Sequence, residues 1–231
     1  GELFLESHGV IFSPETARIN EFYVKNSDLE ITLGTMSESD TTATEPVYWK
    51  ILLDQIDIEN VGLALRMPQD SLYLRTQLPS VSLRNGEIDL KESTYFVKSM
   101  AINEANLSYD SGVEARRLHP DSLGKTLNPN HLSFKDIDLK IDSVYYAGRD
   151  IRAKIARFDW IERSGLELLS TEGRIWADAN TINIPQFVMK TTDSSLDLQT
   201  QIGWDVLDLK KSGVLSARLL AEIGKGDMLK V

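Results

Sequence analysis

Apolar and polar residues alternate singly along most of this chain, and a period of two commits it to strands with one apolar face. Phe134-Lys-Asp-Ile137-Asp-Leu139-Lys-Ile141 is the cleanest run: Ile137, Leu139 and Ile141 face one way, Asp and Lys the other. Leu53-Asp-Gln-Ile56-Asp-Ile58 alternates after its first residues, and Val61-Gly-Leu63-Ala-Leu65 resumes the pattern. Leu72-Tyr-Leu74, Val81-Ser-Leu83 and Ile88-Asp-Leu90 follow. Ile102, Ala105, Leu107 and Tyr109 make a strand with one slip, as a bulge or turn produces. Strands covered on both faces read as continuous apolar runs. Alternation therefore predicts one wet face, with the other buried against a partner sheet or lining a groove. On composition alone, an ordinary sandwich core is the simpler of the two.

Turn chemistry punctuates the runs. Asn60-Val-Gly62, Met67-Pro-Gln-Asp70, Asn85-Gly86 and Asp110-Ser-Gly112 are the expected reversals, with Asn85-Gly86 the strongest hairpin signal. Many short strands with such turns predict an antiparallel all-β chain with few or no helices. Ser212 to Ile223 fits a helix, but Leu215, Ala217, Leu219, Ala221 and Ile223 also alternate, and a strand is preferred. Ser37 to Pro46 is polar and is expected to be a mobile loop. Leu118 to Asn130, with Pro120, Gly124 and Pro129, reads as a longer connection.

The chain also echoes itself. Leu169, Gly173, Ile175 and Trp176 fall on Leu5, Gly9, Ile11 and Phe12 at one constant offset. With small gaps, Phe187 to Lys190 matches Phe22 to Lys25, and Ser194 to Leu198 matches Ser27 to Ile31. The expected organisation is the late part of one repeat at 1–36, a linker at 37–46 and a following unit at 47–231 continuous with the same sheet. The chain is then a piece of a longer repetitive protein. Shorter echoes, such as Leu53 to Ile58 against Phe134 to Leu139, suggest a sheet that grows by addition of similar strands.

Composition removes several functions. With 25 basic and 35 acidic residues, a net charge of −10, the chain lacks the clustered Lys and Arg that track phosphates, so no nucleic-acid partner is expected. The absence of cysteine excludes disulfides, thiolate metal sites and a cysteine nucleophile. His8, His119 and His131 lie outside metal-ligand spacing and read as surface or loop residues. Asp54, Asp57 and Glu59 are close enough in sequence to suggest a carboxylate pair for glycoside hydrolysis. They nevertheless occupy the polar phase of a strand, as Asp136 and Asp138 do in the echo. Asp193-Ser-Ser195 offers oxygens without a calcium-loop pattern. No nucleophile elbow, phosphate loop or dinucleotide fingerprint occurs. The expectation is a non-enzymatic protein with no cofactor, catalytic residue or metal ligand.

Phe158-Asp-Trp-Ile-Glu162-Arg-Ser164-Gly165-Leu-Glu-Leu, followed by Ile182-x-Ile184-Pro, Phe187-Val-Met-Lys-Thr191 and Asp193-Ser-Ser-Leu-Asp-Leu198, carries a resemblance. It resembles the repeated region of the TamB-like (translocation and assembly module, AsmA-like) exported proteins of Gram-negative bacteria. The likeness is best over Leu132 to Leu198 and extends to Trp49 to Tyr109, with Arg163 standing where the pattern has Lys. It implies an elongated, mostly antiparallel β-sheet curled lengthwise into an open apolar groove, a β-taco. It further implies a periplasmic, cell-envelope location with the full-length protein anchored in the inner membrane. The implied partners are phospholipid or outer-membrane β-barrel components, in lipid transport or outer-membrane assembly.

The residues expected to line such a groove are Ile56, Ile58, Ile137, Leu139, Ile141, Leu196 and Leu198, acting collectively. Raw sheet edges are expected to be able to pair two copies into a dimer. The alternative is a closed β-sandwich or β-solenoid serving as a surface scaffold or glycan-binding module, with Trp49, Trp160, Trp176 and Trp204 as its candidate aromatics.

Overall fold

The computed structural model describes residues 1–12, 15–33, 48–67, 71–112, 126–207 and 212–231, with the backbone alone at 8–12. These form one open, eleven-stranded sheet whose strands neighbour one another in chain order. The strands are β1 (Glu2–Phe12), β2 (Glu15–Thr32), β3 (Lys50–Met67), β4 (Leu72–Asp89), β5 (Thr94–Ser111) and β6 (His131–Ala147). They continue as β7 (Asp150–Glu162), β8 (Glu167–Ala177), β9 (Thr181–Thr191), β10 (Ser195–Gly203) and β11 (Leu215–Glu222). All neighbours are antiparallel except β2 and β3, which run parallel with Thr16 opposite Lys50 and Thr32 opposite Arg66. The all-β expectation holds, and Leu215 to Glu222 is the strand preferred over a helix. The expected linker at 37–46 lies outside the described residues, as does most of the connection before Asn130.

β2 to β5 are 18 residues each, about 60 Å long at the usual strand rise. Later strands shorten to the 8 residues of β11. Among the described residues no second layer packs on the sheet, so the sandwich arrangement is not what forms. Among the described residues the buried apolar side chains are Val61, Ala105, Leu168 and Ala177. Most others are half-buried by their lateral neighbours alone. No described helix is long and apolar enough to cross a membrane.

Two expected turns are not turns. Asn60-Val-Gly62 lies inside β3 and Asn85-Gly86 inside β4, with pairing continuous on both sides of each. Asn60 and Asn85 do adopt left-handed backbone, φ 56° and 53°. Asn tolerates that conformation in a bulge as readily as in a hairpin, and the dipeptide alone does not distinguish them. The expected Met67–Asp70 reversal lies outside the described residues beyond Met67, and the strands that flank it, β3 and β4, pair antiparallel with Met67 opposite Leu72. The slip expected in β5 is real as well: the register shifts on both sides of Ala105, and Glu104 has φ 55°.

The two echoing segments are both antiparallel pairs, but their registers differ. Gly9 sits opposite Arg18, whereas Gly173 sits opposite Phe187. Ser27 to Ile31 continues β2, while Ser194 to Leu198 follows a reversal and belongs with β10.

A short helix, α1 (Lys225–Met228), closes the chain and is pinned to the β9–β10 turn. Asp227, 5% exposed, accepts hydrogen bonds from the hydroxyls of Thr191 and Ser194 and from the amide of Asp193. Gly224 and Gly226 let the two segments approach, because a Cβ on either would collide with Asp193. The Ser194 and Thr191 hydroxyl bonds, followed by the Asp193 amide, hold the Asp227 carboxyl below the ordinary Asp range. The resulting stabilisation is present above the unfolded Asp value of about 3.9 and is lost as pH falls through the lower folded value. Asp227→Asn is therefore expected to lower the urea midpoint at neutral pH, with the gap to the parent protein closing in acid. A gap independent of pH would show that the carboxylate charge contributes nothing.

Candidate functional site

The register gathers apolar residues from every strand into rows on one face, while others, among them Leu52, Phe96, Tyr145, Trp176 and Leu220, fall on the opposite face. One row of facing partners crosses the whole sheet. It runs Leu5, Phe22, Ile56, Leu83 and Met100 over β1 to β5. It continues through Ile141, Ile155, Gly173, Phe187, Leu198 and Leu219 to β11. A second runs Ala17, Ile51, Ile88, Tyr95 and Tyr146 over β2 to β6. It goes on through Ile151, Ala177, Ile182, Ile202 and Leu215. A third joins Leu3, Val24, Ile58, Val81, Ile102, Leu139 and Phe158.

The residues expected from sequence fall on this face together. Ile56, Ile141 and Leu198 share the first row, and Ile58 and Leu139 share the third. Ile137 stands opposite Ala105, and Leu196 opposite Met189 and Ala221. Sequence reasoning missed Ile51, Leu53, Leu63 and Leu65, which are out of phase with Ile56 and Ile58 by simple alternation. The signal was present as steps of three: Leu53 to Ile56 and Ile58 to Val61.

The backbone absorbs those steps along two lines that cross the strands. On the first, Asn26, Asn60, Glu104 and Asp136 all have φ between 49° and 56°. The registers place Asn26 beside Asn60, with Pro79 of β4 in the same line. On the second, Asn20, Asp54, Asn85, Lys98 and Asp142 occupy the gaps in pairing. The interval between lines is the same six residues in each of β2 to β6, about 20 Å of strand. Side chains staple the lines across strands. Asn60 Nδ2 donates to Asn26 Oδ1 at 2.9 Å, and Asn20 Nδ2 donates to Asp54 Oδ2 at 2.9 Å. The Glu104 amide donates to Asp138 Oδ1 at 2.9 Å.

The opposite face is a lattice of cross-strand ion pairs. Arg18 grips Asp54 through two bonds of 3.0 Å, Arg84 meets Asp57 at 2.6 Å and Lys25 meets Glu59 at 2.9 Å. The carboxylates that a hydrolase reading would use are thus each held by a cation. Glu59 holds the Lys25 ammonium above the ordinary Lys range, mainly through its hydrogen bond. Among the described residues no group of three or more His, Asp or Glu is placed to hold a metal. His131 corrects the surface expectation: it is 6% exposed, with Nδ1 3.0 Å from Asp110 Oδ1. Trp160 packs edge-on against Phe134 at 4.9 Å, while Trp176 is 44% exposed on the charged face.

Comparison with protein-family models, with curated proteins and with solved structures gives no match.

The left-handed positions provide a direct check on the first of these lines. A β-branched residue at φ 56° costs about 1–2 kcal/mol, whereas Gly adopts that region freely. Asn60→Val is expected to lose stability of that order in urea denaturation, and Asn60→Gly half as much or less. Equal losses for both would mean that the Asn26 bond, and not the backbone conformation, matters at this site.

Proposed function

We propose that the apolar face is the working surface of a non-enzymatic envelope protein, and that the sheet bends along its two aligned lines into an open trough for lipid acyl chains. The observation that carries this reading is the unbroken set of apolar rows from β1 to β11 with nothing packed over them among the described residues. A face of this size left to water is costly at roughly 25 cal/mol per Å², so it calls for an occupant. Bulged positions bend a strand. When they align across neighbouring strands, the bend becomes a crease of the whole sheet, and two creases about 20 Å apart leave a floor between two walls.

Such a surface suits a cargo without fixed shape. Moving an acyl chain through water costs about 0.8 kcal/mol per CH₂, and a continuous apolar path removes that barrier along its length. Ile, Leu, Val and Phe in phase are sufficient. No reactive group is needed, in keeping with carboxylates spent on ion pairs. The resemblance to TamB-like proteins supports the same reading, with the cell envelope as the setting and phospholipid as the cargo. Passage of outer-membrane protein strands is the second occupant that this family likeness suggests.

The test is site-specific photocrosslinking to phospholipid in cells. Photoreactive residues at Ile56, Ile137, Leu139 and Leu198 are expected to label lipid, and those at Lys140 and Arg157 on the charged face are not. Ile137→Asp with Leu139→Asp is expected to abolish labelling at the neighbouring positions. Labelling that favours the charged face would sink the proposal.

A further inference from the structure

The charged face carries a feature that the trough does not use. A depression of about 800 Å³ lies over the ends of β6, β7 and β8, within the size range of small-molecule clefts. Its polar-face lining includes Ser143, Asp150, Arg152, Lys154, Arg174 and Trp176. Arg152 stands opposite Trp176, and Lys154 opposite Arg174, so three cations and an indole are presented by adjacent strands at two neighbouring levels of the same face.

The charges there are unequally committed. Arg152 forks onto the Asp150 carboxylate through two bonds of 3.1 Å. Lys154 is paired with Asp142. Asp178, at the rim, accepts the amides of Asn180 and Thr181 at 2.8 and 2.9 Å. Arg174 is exposed and has no ion pair among the described residues, its field reaching the Asp142 carboxyl only through space, so one guanidinium keeps its hydrogen-bonding fork open two residues from Trp176, which is 44% exposed.

We infer that this depression binds a monoanionic saccharide, a sugar ring bearing a carboxylate, with the ring on Trp176 and the carboxylate on Arg174. The C–H face of a pyranose is weakly positive and meets the negative face of an indole. A carboxylate matches the guanidinium fork in two parallel bonds. The Arg152–Asp150 pair, already fixed, offers donors and acceptors to ring hydroxyls without further ordering cost. Charge count selects the ligand class: Arg152, Lys154 and Arg174 face Asp142, Asp150 and Asp178, so the site carries no net charge and suits the single carboxylate of a uronate better than a phosphate dianion. The inference is independent of the trough, because it rests on the opposite face.

The experiment is calorimetric and NMR titration of the chain with trigalacturonate, with neutral galactotriose, glucose 6-phosphate and AMP as comparisons. Trigalacturonate is expected to bind below millimolar concentration and to shift amides of residues 150–154 and 174–178. Arg174→Ala and Trp176→Ala are each expected to weaken binding tenfold or more. Both side chains are exposed, so folding is expected to be retained, and Arg174→Gln provides a second variant of similar volume. Absence of trigalacturonate binding at millimolar concentration overturns the proposal. So does binding unchanged in the Arg174 variants, or AMP or glucose 6-phosphate binding as tightly as trigalacturonate.

Discussion

Everything in this sheet depends on keeping neighbouring strands in step at the two lines where left-handed backbone and register gaps fall. A slip of one residue sends every later side chain of a strand to the opposite face. The apolar pattern here does slip, twice per strand in β3 to β5, by steps of three where alternation needs two. A strand that ignored the slips would place Val61, Leu63 and Leu65 among the ion pairs. A strand that absorbed them alone would lose register with its neighbours. Absorption at the same level in adjacent strands avoids both, and the bonds joining Asn60 to Asn26 and Asn20 to Asp54 tie the level together.

A single layer also changes where stability comes from. Among the described residues four apolar side chains are buried, too few for an interior of the usual kind. Ladder hydrogen bonds and lateral contacts within rows carry the apolar side. The other side has cross-strand pairs such as Lys50–Glu87 and Arg66–Glu30, both substantially solvent-exposed. Exposed pairs contribute little singly, roughly 0–1 kcal/mol, so they serve register and solubility more than cohesion. They also make the faces chemically unlike.

Much of the apolar face was legible from spacing. Ile137, Leu139 and Ile141 share a face because no interruption falls between them, and period two alone places them. Leu196 and Leu198 follow for the same reason. Ile51 and Leu53 escaped because Asp54 interrupts the phase before Ile56, and a local reading treats the far side as the wrong face. Asn85-Gly86 misled because left-handed backbone is common to hairpins and bulges. What separates those two uses is whether the next strand is still there to pair, and this is information held by β5, not by the dipeptide. His131 misled in a similar way, since its burial against Asp110 depends on the pairing of β5 with β6.

By itself, then, the sequence determined that this chain forms strands with one apolar and one charged face, because a two-residue period is a local property of the backbone. It also determined that thiolate chemistry is excluded, because the chain has no cysteine. The tertiary structure decided the rest. Only cross-strand register could show that the apolar segments, out of phase within each strand, form continuous rows across eleven strands, and that β2 and β3 run parallel. Only register could place Arg174 and Trp176 of β8 beside Lys154 and Arg152 of β7. Those relations join residues far apart in the chain, and no local pattern carries them.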